Sequence, residues 1–197
     1  MINKTLLLRT AAFFAVLLSS TLLYATDTSN MTIIKFTTNQ GEITLELDGE
    51  KAPNTVKNFV AYIEDGFYEG TIFHRIIPNF MAQGGGFTSE FQQKPVKNPI
   101  ENEADNGLKN DRGTIAMART GDPHSATGQF FINLKDNDFL NHSSKTQQGW
   151  GYAVFGKVTD GMDTIDKMAA IPTGSGGMFP TDVPQEEVII EKAEVVK

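Results

Sequence analysis

Residues 73–85 run Phe73-His74-Arg75-Ile76-Ile77-Pro78-Asn79-Phe80-Met81-Ala82-Gln83-Gly84-Gly85, a guanidinium set among aromatic, aliphatic and sulfur-bearing side chains. Read as an alternating strand, Phe73, Arg75 and Ile77 share one face, and His74 and Ile76 share the other. An isolated arginine in such a run is ordinarily a surface cation whose stem covers apolar neighbours. Two later clusters change that balance. In Gly128-Gln129-Phe130-Phe131-Ile132-Asn133, alternation puts Gln129 and Phe131 on one face, and Asp138-Phe139-Leu140 adds further apolar surface.

The surrounding chain reads as many short strands and two helices. Ile34 and Phe36 alternate with polar neighbours, Asn39-Gln40-Gly41 supplies turn chemistry, and Glu42 to Asp48 alternates strictly, which predicts a hairpin. Pro53 opens a segment in which Val56, Phe59, Val60 and Ile63 recur at helical spacing before Gly66, a helix with proline in its first turn. Short apolar runs follow at Ile72 to Ile77, Thr114 to Ala118, Phe130 to Leu134 and Val154 to Val158, separated by Gly, Asn, Asp and Pro. That pattern suggests a barrel or a sandwich. After Asp160, the residues Met162, Ile165, Met168 and Ala169 mark a second helix ending before Pro172, and the β-branched run Val188 to Val196 is placed to close a sheet against the first strand. The tract Gly174-Ser175-Gly176-Gly177 has no following Lys-Ser/Thr and is read as a plain loop, while Gly84-Gly85-Gly86 is read as a close backbone approach.

Composition narrows the chemistry. The 197 residues suit one domain, and 40% apolar residues with 14 Phe argue for a real core. With no Cys, disulfides, thiolate catalysis and iron-sulfur clusters are excluded. His74, His124 and His142 lack paired spacing, so no metal is expected, and neither glycine tract has the spacing of a nucleotide-cofactor fingerprint, so no cofactor is expected. Asp122, His124 and Ser125 lie too close in sequence to make a hydrolase triad, and no Gly-x-Ser-x-Gly context is present.

The N-terminus reads as an export signal. Lys4 and Arg9 precede the apolar run Ala11 to Leu18, which continues into Leu22, Leu23, Tyr24 and Ala25. Cleavage near Ala25 gives a signal peptide over 1–25, a polar tether over 26–30 and a domain over 31–197. Export follows, to the periplasm if the chain is bacterial, with an uncleaved membrane anchor as the alternative. Losing Lys4 and Arg9 leaves 15 of the 17 basic residues against 24 acidic ones, a net of −9. Such a surface is unsuited to nucleic acid. After cleavage no stable membrane insertion is expected.

FHRIIPNFMAQGG, IAMAR, GQFFIN, FL and AVFGKV, in this order and at these separations, resemble the cyclophilin-type peptidyl-prolyl cis-trans isomerases. The similarity covers essentially everything from Met31 onward, and DNDFLN followed by GWGYAVFGKV is similar to the bacterial branch in particular. The resemblance implies a mainly β fold, a closed eight-stranded antiparallel β-barrel capped by two α-helices, and a monomeric enzyme acting on proline-containing polypeptides. It also implies Arg75 as the catalytic residue and Phe80, Met81, Phe131 and Leu140 as the proline pocket. Gln83, Ala118, Arg119 and Gln129 would line the groove for the peptide backbone, and His74 would be at most a groove-edge contact, with structural burial as the equal alternative. Three positions depart from the eukaryotic pattern: Phe139 stands where Trp is common, Arg119 replaces an Asn, and Tyr152 occupies the place of a His. The first change removes an indole N–H donor for cyclosporin-like inhibitors. A non-catalytic peptide-binding chaperone using the same groove is the competing reading.

Overall fold

Alternation in the first hairpin sets the inside of the molecule. The computed structural model describes residues 31–196; the signal and tether read over 1–30 lie outside the described residues. Strand β1 (Met31–Thr38) pairs antiparallel with β2 (Gly41–Asp48) from Met31↔Asp48 to Thr38↔Gly41. Ile34 and Phe36 of β1 and Ile43, Leu45 and Leu47 of β2 are fully buried, as a period of two requires. The turn closes through the Thr38 hydroxyl, which donates to the Gly41 carbonyl at 2.7 Å and accepts the Gln40 N–H at 3.1 Å. Gly41 has φ +137, and a Cβ there would lie 2.7 Å from Thr164 Oγ1, so only glycine fits.

The remaining strands are β3 (Thr71–Ile72), β4 (Arg75–Ile77), β5 (Met81–Gly84), β6 (Thr114–Met117), β7 (Phe130–Asn133), β8 (Val154–Asp160), β9 (Thr173–Gly176), β10 (Phe179–Pro184) and β11 (Ile189–Val196). Nine of the strands form one antiparallel sheet in the order β3-β11-β1-β2-β8-β6-β7-β5-β4. Its two outer members, β3 and β4, are separated in the chain only by Phe73 and His74. The sheet therefore curls round until its edges are joined covalently. Counted as one interrupted strand, β3 and β4 give the eight staves expected. Hydrogen bonding, however, links nine segments and leaves the seam to the covalent chain.

That seam corrects the face assignment. Phe73 is buried in the barrel core together with Ile76, whereas Arg75 and Ile77 are half-buried on the outside. The chain leaves the ladder at Phe73-His74, where the Phe73 N–H donates instead to the Val188 carbonyl at 2.9 Å, and the alternation changes parity there.

Helix α1 (Pro53–Glu64) packs Val56, Phe59, Tyr62 and Ile63 onto the barrel interior. Its N-cap, Ala52, has no polar side chain to satisfy the orphan N–H groups. Glu103 does so from a distant loop: its carboxylate accepts the N–H groups of Asn54 at 3.1 Å and Thr55 at 2.8 Å. Helix α2 (Met162–Ala170) buries Ile165 and Met168. At the centre, the Phe130 ring lies 5.6 Å from those of Phe36, Phe59 and Tyr68 and 5.7 Å from that of Phe73.

The glycine tract expected to be a loop is strand β9, paired with β10 in a separate hairpin whose turn holds Gly177 at φ +53. Glycine hides this pairing, because without side chains no alternation can be read. The expected close approach at Gly84-Gly85-Gly86 is present: a Cβ at Gly85 would lie 2.7 Å from the Phe130 ring, and one at Gly86 would lie 2.5 Å from Gln129.

Candidate active site

The groove is built on the outer face of the barrel. Register places Arg75 opposite Gln83, Gln83 opposite Phe131, Phe131 opposite Ala116 and Ala116 opposite Val154, one row across β4, β5, β7, β6 and β8. Adjacent strands are about 4.8 Å apart, so Arg75 and Phe131, two strands from each other, stand about 10 Å apart at their Cα atoms. Met81, Ala116, Phe131 and Val154 form a second apolar cluster distinct from the core, with Phe80, Ala118, Leu140 and Tyr152 packed against it.

A cavity of about 170 Å³ opens over this cluster, lined by Arg75, Phe80, Met81, Gln83, Ala118, Arg119, Phe131, Leu140 and Tyr152. With liquid water at roughly 30 Å³ per molecule, it is sized for a small ring. A larger cavity of about 210 Å³, with Glu46, Asp48 and Asp111 beside Lys109 and Lys157 in its walls, lies elsewhere and gathers none of the expected residues.

Local structure explains each position. The β4–β5 turn has Pro78 followed by Asn79 at φ +57, with the Phe80 N–H donating to the Ile77 carbonyl at 3.0 Å. Proline fixes the first corner and asparagine tolerates the left-handed one, which places Phe80 and Met81 at the cavity. Leu140 belongs to a single 3-10 turn, Asp138–Leu140. That turn is held by buried asparagines: Asn137 donates to Asn133 Oδ1 at 2.8 Å and to the Phe80 carbonyl at 2.9 Å. Asn133 donates to Asn110 Oδ1 at 3.2 Å, and Asn110 donates to the Leu140 carbonyl at 3.2 Å. Sequence reasoning missed this ladder. Its only signal was three asparagines, Asn133, Asn137 and Asn141, spaced by four around Phe139 and Leu140.

Gln129 and Phe139 border the cavity without lining it. Gln129 accepts a bond from Gln83 Nε2 at 3.0 Å, and its carbonyl accepts the Ala118 N–H at 2.9 Å. Phe139 is 71% exposed and stacks on Phe80 with ring centroids 5.7 Å apart, extending the apolar ledge outward. Tyr152 contacts Phe131 edge-on at 5.6 Å.

His74 is not a groove-edge residue. It is 2% exposed, its ring lies 4.7 Å from Phe87 and 5.2 Å from Phe179, and its Nδ1 has no partner. Burial, with the neighbouring Arg75 charge adding to it, lowers its pKa to about 4. The ring is covered by strand β10, whose pairing with a glycine-rich partner leaves no alternation to read.

The same strand supplies an unexpected partner for the arginine. Asp182, held at φ +67 in β10, places its carboxylate 3.4 Å from Arg75 Nε. Both side chains are about one-third exposed. Among the described residues, the other guanidinium nitrogens of Arg75 have no protein partner.

An apolar pocket flanked by a cation and by amide side chains has room for a small ring, with hydrogen-bonding groups beside it. Residues 33–195 match the family described as cyclophilin type peptidyl-prolyl cis-trans isomerase/CLD. Peptidyl-prolyl cis-trans isomerase B of Escherichia coli (strain K12) is 58% identical over 163 residues, covering 83% of this chain and 99% of that protein. A peptidyl-prolyl cis-trans isomerase of Streptomyces antibioticus is 58% identical over 166 residues, covering 84% of this chain and 99% of its own. Among solved structures, a Cryptosporidium parvum cyclophilin type peptidyl-prolyl cis-trans isomerase, in the presence of the dipeptide Ala-Pro, superposes with TM-score 0.67 at 28% identity, covering 84% of this chain and 99% of that one. The chain belongs to the cyclophilin-type peptidyl-prolyl cis-trans isomerases. Its reaction is the interconversion of cis and trans peptide bonds preceding proline.

Proposed function

We propose that this isomerase acts on exported polypeptides as they fold, with Arg75 donating a hydrogen bond to the prolyl nitrogen as the amide twists. The observation that carries this reading is the placement of Arg75 and the Phe80, Met81, Phe131 and Leu140 pocket in one cavity. An X-Pro bond resists rotation by about 18–20 kcal/mol because the nitrogen lone pair is delocalised into the carbonyl. At the midpoint that delocalisation is lost, and the nitrogen becomes a pyramidal acceptor, which it is in neither planar isomer. A donor bond made only then lowers the barrier without deepening the ground states, and about 1.4 kcal/mol corresponds to tenfold in rate. The arginine fork stays charged and directional, and Asp182 on its Nε side leaves the terminal nitrogens free to donate. The pocket clamps the ring while Gln83, Ala118, Arg119 and Gln129 hold the flanking backbone, so one end turns against the other.

Lys4 and Arg9 ahead of the apolar run Ala11 to Leu18 support export to the periplasm and cleavage near Ala25, and the family resemblance supports action as a monomer there. A holdase role through the same groove is the second reading, favoured by the exposed ledge of Phe139. NMR exchange of an Ala-Pro peptide separates the two. The mature protein is expected to speed exchange, and Arg75→Ala to lose about 10- to 100-fold in rate, as for a hydrogen bond to a charged group, with affinity changing far less. An unchanged rate in that variant refutes the nitrogen donor, and intact binding without any turnover in the wild type establishes the holdase instead. Mass spectrometry of the protein from periplasmic extract tests the location: a start at Met1 in the membrane fraction contradicts cleavage.

A further inference from the structure

Three arginines lie among the described residues, and they differ in what opposes their charge. Arg112 makes two bonds to Asp166, at 2.9 and 2.8 Å, and Arg75 faces Asp182 at 3.4 Å. Arg119 has no carboxylate within ion-pair distance among the described residues, although it is half-buried and lines the groove. Asp122, three residues along the chain, accepts the His124 N–H at 3.0 Å.

Arg119 is nonetheless held in one pose. Its Nε donates to the Gly151 carbonyl at 2.9 Å, its Nη1 donates to the Thr120 carbonyl at 2.9 Å, and its guanidinium carbon lies 4.6 Å from the centre of the Tyr152 ring. Nη2 keeps both of its hydrogens free of protein partners among the described residues. A pre-positioned cation with an open donor edge is a site for a carboxylate. The whole sequence is net negative by 7, so this charge runs against the protein's own surface.

Topology says where such a carboxylate would come from. Arg119 follows β6, three strand steps from Arg75 in β4, with the Phe131 strand between them. Phe131 is one strand step, about 4.8 Å, from Ala116, and Arg119 lies three residues beyond Ala116, about 10 Å along the chain; the two are therefore about 11 Å apart, and an extended chain advances about 3.3–3.6 Å per residue. A polypeptide with its prolyl ring on Phe131 therefore brings a residue within about three of the proline to Arg119.

We infer that Arg119 is a specificity-determining residue that selects proline sites flanked by Asp or Glu. The inference takes the position of the prolyl ring from the Arg75-centred reading above and adds a substrate class to it. The test uses the mature protein and peptides of Ala-Ala-Pro type in which Glu or Gln occupies each of three positions before and two after proline. Exchange rates by NMR give kcat/KM, and fluorescence of Trp150, the single tryptophan, beside the Gly151 carbonyl that Arg119 holds, gives affinity independently of turnover. At least one Glu peptide is expected to exceed its Gln twin by about 3- to 10-fold, the range of a partly exposed charge-assisted bond. The preference should shrink in 0.5 M NaCl as screening shortens to about 4 Å, vanish in Arg119→Gln and survive in part in Arg119→Lys. Equal behaviour of every Glu and Gln pair overturns the inference, as does a preference that persists in Arg119→Gln. If the all-Ala peptide is not turned over, the Arg75 reading fails by itself, and the Trp150 affinities still decide the question of charge.

Discussion

Strands β5, β6 and β7 show two opposite faces to two different tasks. Inward, Ala82, Ile115, Phe130 and Ile132 join the barrel core and are fully buried. Outward, Met81, Gln83, Ala116 and Phe131 floor the groove. Phe130 and Phe131 are neighbours in sequence with the same side chain, yet one ring is enclosed by four aromatic rings and the other borders a cavity. The lesson is that period-two geometry lets one strand carry stability and chemistry on separate faces, so each should be removable without the other.

Phe130→Ala is the strongest way to break that separation. It should cost about 3–5 kcal/mol in urea unfolding, as for a fully enclosed phenylalanine. Phe131→Ala should cost clearly less and yet abolish most turnover at temperatures where the variant is folded. Equal losses of stability from the two would mean that the faces are not separate.

His74 sharpens the comparison, because it is buried outside the barrel core, beneath Phe179. Its pKa is lowered to about 4 from an ordinary 6.5, so the unfolded chain binds the proton more readily than the folded one between those values. The stability due to neutral His74 is therefore complete above about pH 6.5 and is lost as the pH falls through about 4, a total of about 3 kcal/mol. His74→Phe should remove that part of the slope in urea midpoints measured from pH 7 to pH 4. An unaltered slope would show that His74 is not the group responsible.

Asp182→Asn gives the smallest effect. Asparagine tolerates φ +67, so the backbone of β10 is kept while the charge facing Arg75 is lost. Partly exposed ion pairs contribute about 0.2–1 kcal/mol, so kcat should fall by a factor of about 2 to 5 with KM nearly constant. A change in KM alone would place Asp182 in peptide binding rather than in holding the guanidinium.

Much of this was readable in the sequence where side chains alternate or recur at helical spacing: the β1–β2 hairpin, both helices, and the shared face of Gln129 and Phe131, although alternation by itself could not say that this face looks outward. The motif resemblance brought nine cavity residues into view, from Arg75 to Tyr152. What stayed hidden depends on contacts between distant segments. Glycine-rich β9 has no alternation, so the hairpin that buries His74 and delivers Asp182 to Arg75 left no local trace. Glu103 capping α1 and the asparagine ladder behind Leu140 are likewise long-range bonds, made by residue types that are common in loops. The parity change at Phe73-His74 was invisible because the seam of a curled sheet is a tertiary event.

The most direct measurement is the exchange rate of an Ala-Pro peptide with Arg75→Lys, taken beside its dissociation constant. Lysine keeps the positive charge and loses the planar fork, so a directional bond to the twisted nitrogen predicts a rate at least about tenfold lower with affinity within about threefold. An Arg75→Lys enzyme as fast as the wild type would show that charge alone suffices, and the directed-donor account would be contradicted.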